Sequence, residues 1–469
     1  MLSAGFAQRC ITPPPGLEIP GLFERRIALG TNDDLYARAA VCEDGASCMA
    51  LVQVDAIFVP EPVVRTARKL ARRLCGIREK DCLIAATHTH SGGPLFGGFL
   101  SEPDPDYSAF VAQQIAVAIA EARRRRTPCL SGVGGAAAEG VAFNRRFLMR
   151  DGGTRTHPGK MHPEIVRPAG PEDPRVSVIG FCDPESLKPL GCVVNFACHA
   201  THMNGFLYSA DYPRWIAETL QGIYGREFGV VFLNGACGDV TQMDNRNPRP
   251  NEFGPYWSER TGRSVGAAAA QALARMDYAR GNTLSRNTAI VSGAVRPISA
   301  ADLKRAKALL GRKAVSAADV ETIYARELRL VAAMRPRVRA LEIMGVRVGE
   351  ALLWGVPGEF FQEFALAVRE ASPFAFTCCV ELANGYEGYL CTPESFSGGG
   401  YEIRTARSSF LEAGAGPRVV RAAIRLCRRM HGEAERELES LPGRRVWPAV
   451  KDSALDGINQ LSGTGKTPR

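Results

Sequence analysis

Apolar positions along this chain fall into two rhythms. Short runs rich in Val, Ile, Phe and Cys recur at 47–54, 82–86, 176–181, 192–197, 229–233, 351–356 and 374–382. Their length and β-branched content predict strands. Between them lie longer amphipathic stretches, at 61–75, 107–125, 212–224, 257–278, 301–310, 317–334 and 417–438, which predict helices. Alternation of the two predicts an α/β fold, a mixed β-sheet core surrounded by helices. The stretch 151–175 is rich in Pro and Gly, carries His157 and His162, and is expected to be a long surface loop. Apolar periodicity fades after Leu441. One catalytic domain over 1–440 and a poorly ordered tail over 441–469 are therefore expected.

Composition narrows the class. At 469 residues, 45% hydrophobic and 23% charged, the chain is ordinary globular protein with enough material for a large core. The formal charge of +9 is carried in runs such as 65–73, 123–126 and 421–429, where helical spacing puts the arginines on solvated faces. No recognition module accompanies that charge, so nucleic acid is not an expected partner. Fourteen cysteines include no C-x-x-C pair, and Cys192, Cys198, Cys378 and Cys379 sit in apolar runs, where a free thiol acts as a small hydrophobe. The start of the chain has no basic segment leading an apolar one, and no run reaches the about 20 residues of a membrane span. No stable membrane anchor and a cytoplasmic location are expected.

Chemistry concentrates where strands end. The run Cys82 to Ala86 leads into Thr87-His88-Thr89-His90-Ser91-Gly92-Gly93-Pro94, and in extended chain both imidazoles project to one side. A second run ends in Cys198-His199-Ala200-Thr201-His202, and a third in Pro357-Gly358-Glu359, with Glu359 expected to open a helix. Sites in α/β folds lie outside the carboxyl ends of strands. Two imidazoles and a carboxylate are a common catalytic zinc set with a position left open. A lone histidine after a strand is more often structural, but four of the chain's seven lie in these two clusters, which favours a metal site. Two glycine-rich segments, 233–241 and 384–394, fit neither a P-loop nor a dinucleotide fingerprint and are expected to wall the pocket. Asp239 is expected in the catalytic set, and Asn234, Thr241, Asn384 and Tyr386 are expected to touch substrate.

Taken together, these residues resemble the catalytic domain of the neutral ceramidase family. The shared motifs are H-T-H-S-G at 88–92, C-H-x-T at 198–201, N-G-x-x-G-D-V-T at 234–241, P-G-E at 357–359, N-G-Y-x-G-Y-x-x-T-P-E at 384–394 and Tyr401-Glu402. The opening Ala4-Gly5-Phe6 to Ile11-Thr12-Pro13-Pro14 is similar to that family's first strand, and order and spacing hold to about residue 416. The resemblance implies Zn2+ held by His88, His199, Glu359 and Tyr401. It further implies that His90 and Arg145 contact substrate and the developing oxyanion.

The family's ceramidases are secreted or membrane-exposed and carry a further C-terminal β-domain, neither of which is expected here. The family's Y-E-G is Tyr401-Glu402-Ile403 in this chain, followed by Arg404 and Arg407. The expected partner is therefore a small soluble amide, less readily an ester, with Arg404 and Arg407 near an anionic group of the substrate. A true ceramidase acting on N-acylsphingosine, and a noncatalytic metal- or ligand-binding module on the same core, are the alternatives. A TIM-barrel metal hydrolase would need a regular eightfold rhythm of strand-end ligands, which the chain lacks. The oligomeric state is left open.

Overall fold

In the computed structural model, residues 1–249, 252–279 and 283–439 are described, the side chains of 433–439 excepted. The expected tail over 441–469 lies outside the described residues. Three sheets dominate. The first has the strand order Cys82–Ala86, Cys48–Val54, Tyr36–Glu43, Ser3–Cys10, Thr127–Pro128. The second runs Gly229–Asn234, Pro189–Phe196, Arg175–Cys182, Leu130–Ala137, and the third Leu284–Ala294, Val338–Val348, Ala351–Gly355, Phe376–Val380. Antiparallel pairing prevails, but each sheet carries one parallel pair at an edge: Cys48–Val54 with Cys82–Ala86, Pro189–Phe196 with Gly229–Asn234, and Ala351–Gly355 with Phe376–Val380. Those pairs correspond to the apolar runs that predict strands.

Such strands are mostly apolar because both of their faces are covered. One face of each sheet meets the other two sheets in a shared core, where Leu51 and Leu83, Phe181 and Leu233, and Leu353 and Val380 pack together. Helices cover the other faces. Glu61–Cys75 and Pro105–Arg124 lie on the first sheet, Tyr212–Tyr224 and Pro255–Ala274 on the second, Gln362–Ala371 and Ala415–Glu439 on the third. Glu61–Cys75 shows how sequence sets this placement. Val63, Val64, Ala67 and Ala71 form its buried stripe at helical spacing, while Arg65 and Arg72 stay in solvent. Pro62 opens the first turn and Gly76, at φ 75°, closes the last.

Several strands escape the periodicity reading. Leu130–Ala137 contains three glycines, which depress strand propensity. Their use is close packing: a Cβ on Gly132 would lie 2.4 Å from the Asp277 carbonyl oxygen, just beyond the helix covering this sheet. The expected loop at 151–175 is in part a small sheet, with Thr154–Thr156 and Ile165–Pro168 flanking Arg146–Met149. Most of its Pro and Gly residues lie outside the strands, Pro168 excepted, and the strands are too short to show a period. Glu359 opens no helix; Glu359–Phe360 is a short strand paired with Tyr389–Leu390, and the helix begins at Gln362. Among the described residues, no helix is long and apolar enough to cross a membrane.

Candidate metal-binding active site

The carboxyl ends of the three parallel pairs meet at Asn234. Its amide donates to the carbonyls of Thr87 and Cys198, each at 3.2 Å, and accepts from the Cys198 N–H, while its own carbonyl accepts from Glu381 N–H at 3.0 Å. One residue, through its side chain and its carbonyl, thus ties the exits of all three sheets together. His88, His199 and Glu359 leave from those exits.

His88 does not face the site through strand alternation. Its strand stops at Ala86, and His88 itself has φ 69°, a left-handed turn that swings the ring inward. The turn is pinned by hydrogen bonds from Thr87 N–H to Val54 and from His88 N–H to Ala56, and by a bridge between Thr89 and Ala200. The rings of His88 and His199 come to 4.4 Å between centroids, and those of His88 and His90 to 4.8 Å.

Each imidazole has a second partner of the same kind, a backbone carbonyl. Nδ1 of His88, His90 and His199 lies 2.8, 2.9 and 3.1 Å from the carbonyls of Ile57, Gly21 and Val240. A carbonyl only accepts, so every Nδ1 is protonated and every Nε2 of a neutral ring carries a lone pair. These lone pairs converge: the three Nε2 atoms form a group able to hold a metal ion. Glu359 adds a carboxylate. Its Oε2 is buried without a hydrogen-bond donor and sits 3.3 Å from Nε2 of both His88 and His199.

That cluster of acceptors repels itself unless a cation lies among them. A tetrahedron with bonds of about 2.0–2.1 Å has edges of about 3.3–3.4 Å, which matches the two His–Glu separations. His88, His199 and Glu359 are thus spaced to hold a metal ion. Burial and Arg145 push His199 down to about 3, and burial, with His88 and His199 beside it, holds His90 well below the usual histidine range. Burial opposes ionisation of Glu359, yet His88 and His199 hold its carboxyl well below the ordinary value. Burial would lower His88 too, but Glu359 raises it overall.

The remaining expected residues divide. Tyr386 lines the cavity and donates to Glu359 Oε1 at 2.7 Å, and Thr241 and Tyr401 also line it. The Tyr401 hydroxyl bonds to that of Tyr389 at 3.2 Å. Arg145 reaches the site with every arm held: Nε to Glu402 at 3.0 Å, Nη2 to the Gly238 carbonyl and Tyr389, and Nη1 3.0 Å from His199 Nε2. Asn234, Asn384 and Asp239 do not line the cavity. Asn384 joins Ile84 N–H to Glu342, and Asp239 accepts from Gln362 N–H and the Asn144 amide while its carbonyl holds Arg145 N–H. All three are buried and act by positioning backbone, because their short polar side chains are fully consumed by neighbouring main-chain and side-chain groups.

The expected anion partners are engaged elsewhere. Arg407 is bound through Nε and Nη2 to the buried carboxylate of Glu327. Arg404 pairs with Glu321 and lies 3.6 Å over the Tyr324 ring. Other groups come to light only in three dimensions. Glu402 is fully buried and clamps Arg145, Arg146 and Thr156. Glu381, pushed up to about 7 by burial, accepts from Cys237 N–H and Sγ and from Phe360 N–H, fixing the strand that carries Glu359. A buried carboxylate in an apolar run is the one sequence signal for Glu381.

Comparison with solved structures brings this geometry together. The chain superposes on the crystal structure of neutral ceramidase from Pseudomonas aeruginosa with a TM-score of 0.71 at 17% identity, covering 96% of this chain and 76% of that one. The fold is that of the neutral ceramidases. A ceramidase complexed with C2 gives a TM-score of 0.70 at 19% identity, covering 96% of this chain and 77% of the other. No family model and no curated protein matches the sequence. The expected neutral-ceramidase-like α/β architecture thus holds through nearly the whole chain. Within that ceramidase-like fold, the His88, His90 and His199 group lies at the ends of the parallel strand pairs.

Proposed function

We propose that the chain is a zinc-dependent hydrolase of a C–N amide bond in a compact N-acyl compound. The observation that carries this reading is the group of His88, His90 and His199, whose ligand atoms lie within 4.8 Å of one another, with the donor-less Oε2 of Glu359 3.3 Å from Nε2 of His88 and His199. His88, His199 and Glu359 are the core ligands, with Tyr401 as the fourth. When bound there, zinc supplies a water of pKa about 7 and polarises a carbonyl oxygen.

The protein groups do the rest. Tyr386 orients Glu359 through its hydrogen bond to Oε1. Arg145, held rigid by Glu402, the Gly238 carbonyl and Tyr389, sets a cation beside the cavity where an amide carbonyl would gain negative charge. His90 offers an unprotonated Nε2 in the same cavity, suited to moving a proton between the attacking oxygen and the departing nitrogen. Asp239 supports this arrangement by holding the backbone N–H of Arg145. The superposed proteins are described as ceramidases, which supports an amide as the substrate. The compact cavity, about 290 Å³, favours a small amide over a two-chain lipid. Fourteen free cysteines suit a reducing, cytoplasmic setting.

The test is elemental analysis of purified protein together with hydrolysis of N-acyl amines, N-acyl amino acids and a short-chain ceramide in detergent. One zinc per chain, lost in His88→Ala, with turnover of the soluble amides is expected. Absence of zinc, or full metal content in His88→Ala, overturns the metal site; ceramide cleavage with silence across the soluble amides overturns the compact substrate.

A further inference from the structure

Beside the metal-binding group the cavity changes character. Phe23, Phe58, Phe96, Phe99 and Tyr386 line it, in two groups of touching rings, Phe58 with Phe96 and Tyr386, and Phe23 with Phe99. Tyr386 stacks face to face on Phe58 at 3.6 Å between centroids, Phe96 meets Phe58 edge-on at 4.1 Å, and Phe23 meets Phe99 at 4.7 Å. Phe23, Phe96 and Phe99 are only half-buried, so part of each ring is left without a partner.

This wall is built rather than loose. Phe99 takes φ 54°, a conformation side chains seldom adopt, and is held there from outside. Its N–H donates to the buried carboxylate of Glu327 at 3.1 Å, and its carbonyl accepts from Arg326. The same carboxylate binds Arg407, so one buried anion fixes the aromatic rim and consumes a cation that would otherwise face substrate. Arg145 is held by Glu402, the Gly238 carbonyl and Tyr389 beside the metal-binding group, and Arg404 is turned onto Tyr324 and Glu321.

We infer that the arm of the substrate beyond the scissile amide is a neutral aromatic group of phenyl or indole size. This rests on the amide-hydrolase reading above and narrows its substrate class. Aromatic faces meet further rings edge-on or offset with a gain beyond burial alone, whereas an anionic arm here would be desolvated without a partner. The cavity volume of about 290 Å³ sits at the lower end of the about 300–1,000 Å³ usual for ligand sites, enough for one ring and its linker.

The experiment uses the metal-loaded full chain. kcat/KM is measured for N-phenylacetyl, N-acetyl, N-succinyl and N-palmitoyl amides of one amine, and binding of phenylacetamide is measured by calorimetry. The phenylacetyl amide is expected to lead the series by about 10- to 200-fold, the range a matched apolar pocket supplies. Phe23→Ala should raise KM for it several-fold more than for the N-acetyl amide, and Phe23→Leu should fall between. A faster succinyl or palmitoyl amide overturns the inference while keeping the hydrolase. Silence across the panel with phenylacetamide bound, and weakened by Phe23→Ala, overturns the hydrolase and keeps the aromatic site. Silence with no binding overturns both.

Discussion

The Tyr386 hydroxyl donates to Oε1 of Glu359 at 2.7 Å, so that the second oxygen, Oε2, is the one turned toward His88 and His199. Support of this kind governs how well a metal ligand is aimed. Tyr386→Phe keeps the stack on Phe58 and removes only the donor. Metal affinity should fall about 10- to 100-fold with the folded state intact. Competition against a chelating dye measures it; wild-type affinity would detach Tyr386 from the metal site.

Arg145 and a metal ion compete for one lone pair, Nε2 of His199, at which Nη1 lies 3.0 Å away. Removing the guanidinium therefore cannot weaken metal binding through loss of a ligand. Arg145→Ala and His90→Ala are expected to retain the metal and to lose turnover by about 10²–10³, the usual cost of one oxyanion donor. Glu402 stays paired with Arg146 and Thr156 in the arginine variant, so the fold should survive. Metal content and steady-state kinetics on the same preparations decide the matter; full rates in both variants would remove these residues from catalysis.

Asn234 tests the distinction between touching substrate and holding the frame. Asn234→Ala leaves the Thr87 carbonyl without its donor and the Cys198 N–H without its acceptor, while the Cys198 carbonyl keeps the Tyr212 hydroxyl. A loss of roughly 3 kcal/mol in urea unfolding is expected, with KM unchanged in the folded fraction. A raised KM at unaltered stability would return Asn234 to the substrate.

Asp55 is buried beside Gln53 and Tyr36 N–H, and burial pushes its carboxyl up to about 6. Because the folded form binds this proton more tightly than the unfolded form, stability falls as pH rises from about 4 to about 6, by roughly 1 kcal/mol per unit from this group. Asp55→Asn should flatten that segment of the profile. Unfolding midpoints taken across the range check it, and an unchanged slope would assign the dependence to other groups.

How far the sequence reaches can be seen residue by residue. The runs ending at Ala86, Phe196 and Gly355 announce themselves because strands covered on both faces are apolar at nearly every position, and the histidines and glutamate beyond them are rare residues at marked places. Leu130–Ala137 stays hidden because its glycines serve a helix that is near only in space. The pairing of His88 with His90 was legible, but its cause was not: a left-handed turn held by carbonyl and N–H groups from another strand does what strand alternation would not.

The sequence alone determined which side chains were available for chemistry, since imidazoles, carboxylates and apolar runs state their nature locally. Only the tertiary structure decided which of them meet an open cavity. Asn234, Asn384 and Asp239 have the composition of binding residues, yet partners from distant segments saturate them; Arg404 and Arg407 carry charge that Glu321 and Glu327 neutralise. Hydrogen-bond capacity is finite and is consumed by whatever the fold brings near, over separations of as many as 300 residues for Asn384 and Ile84, and that allocation has no signature in a linear pattern.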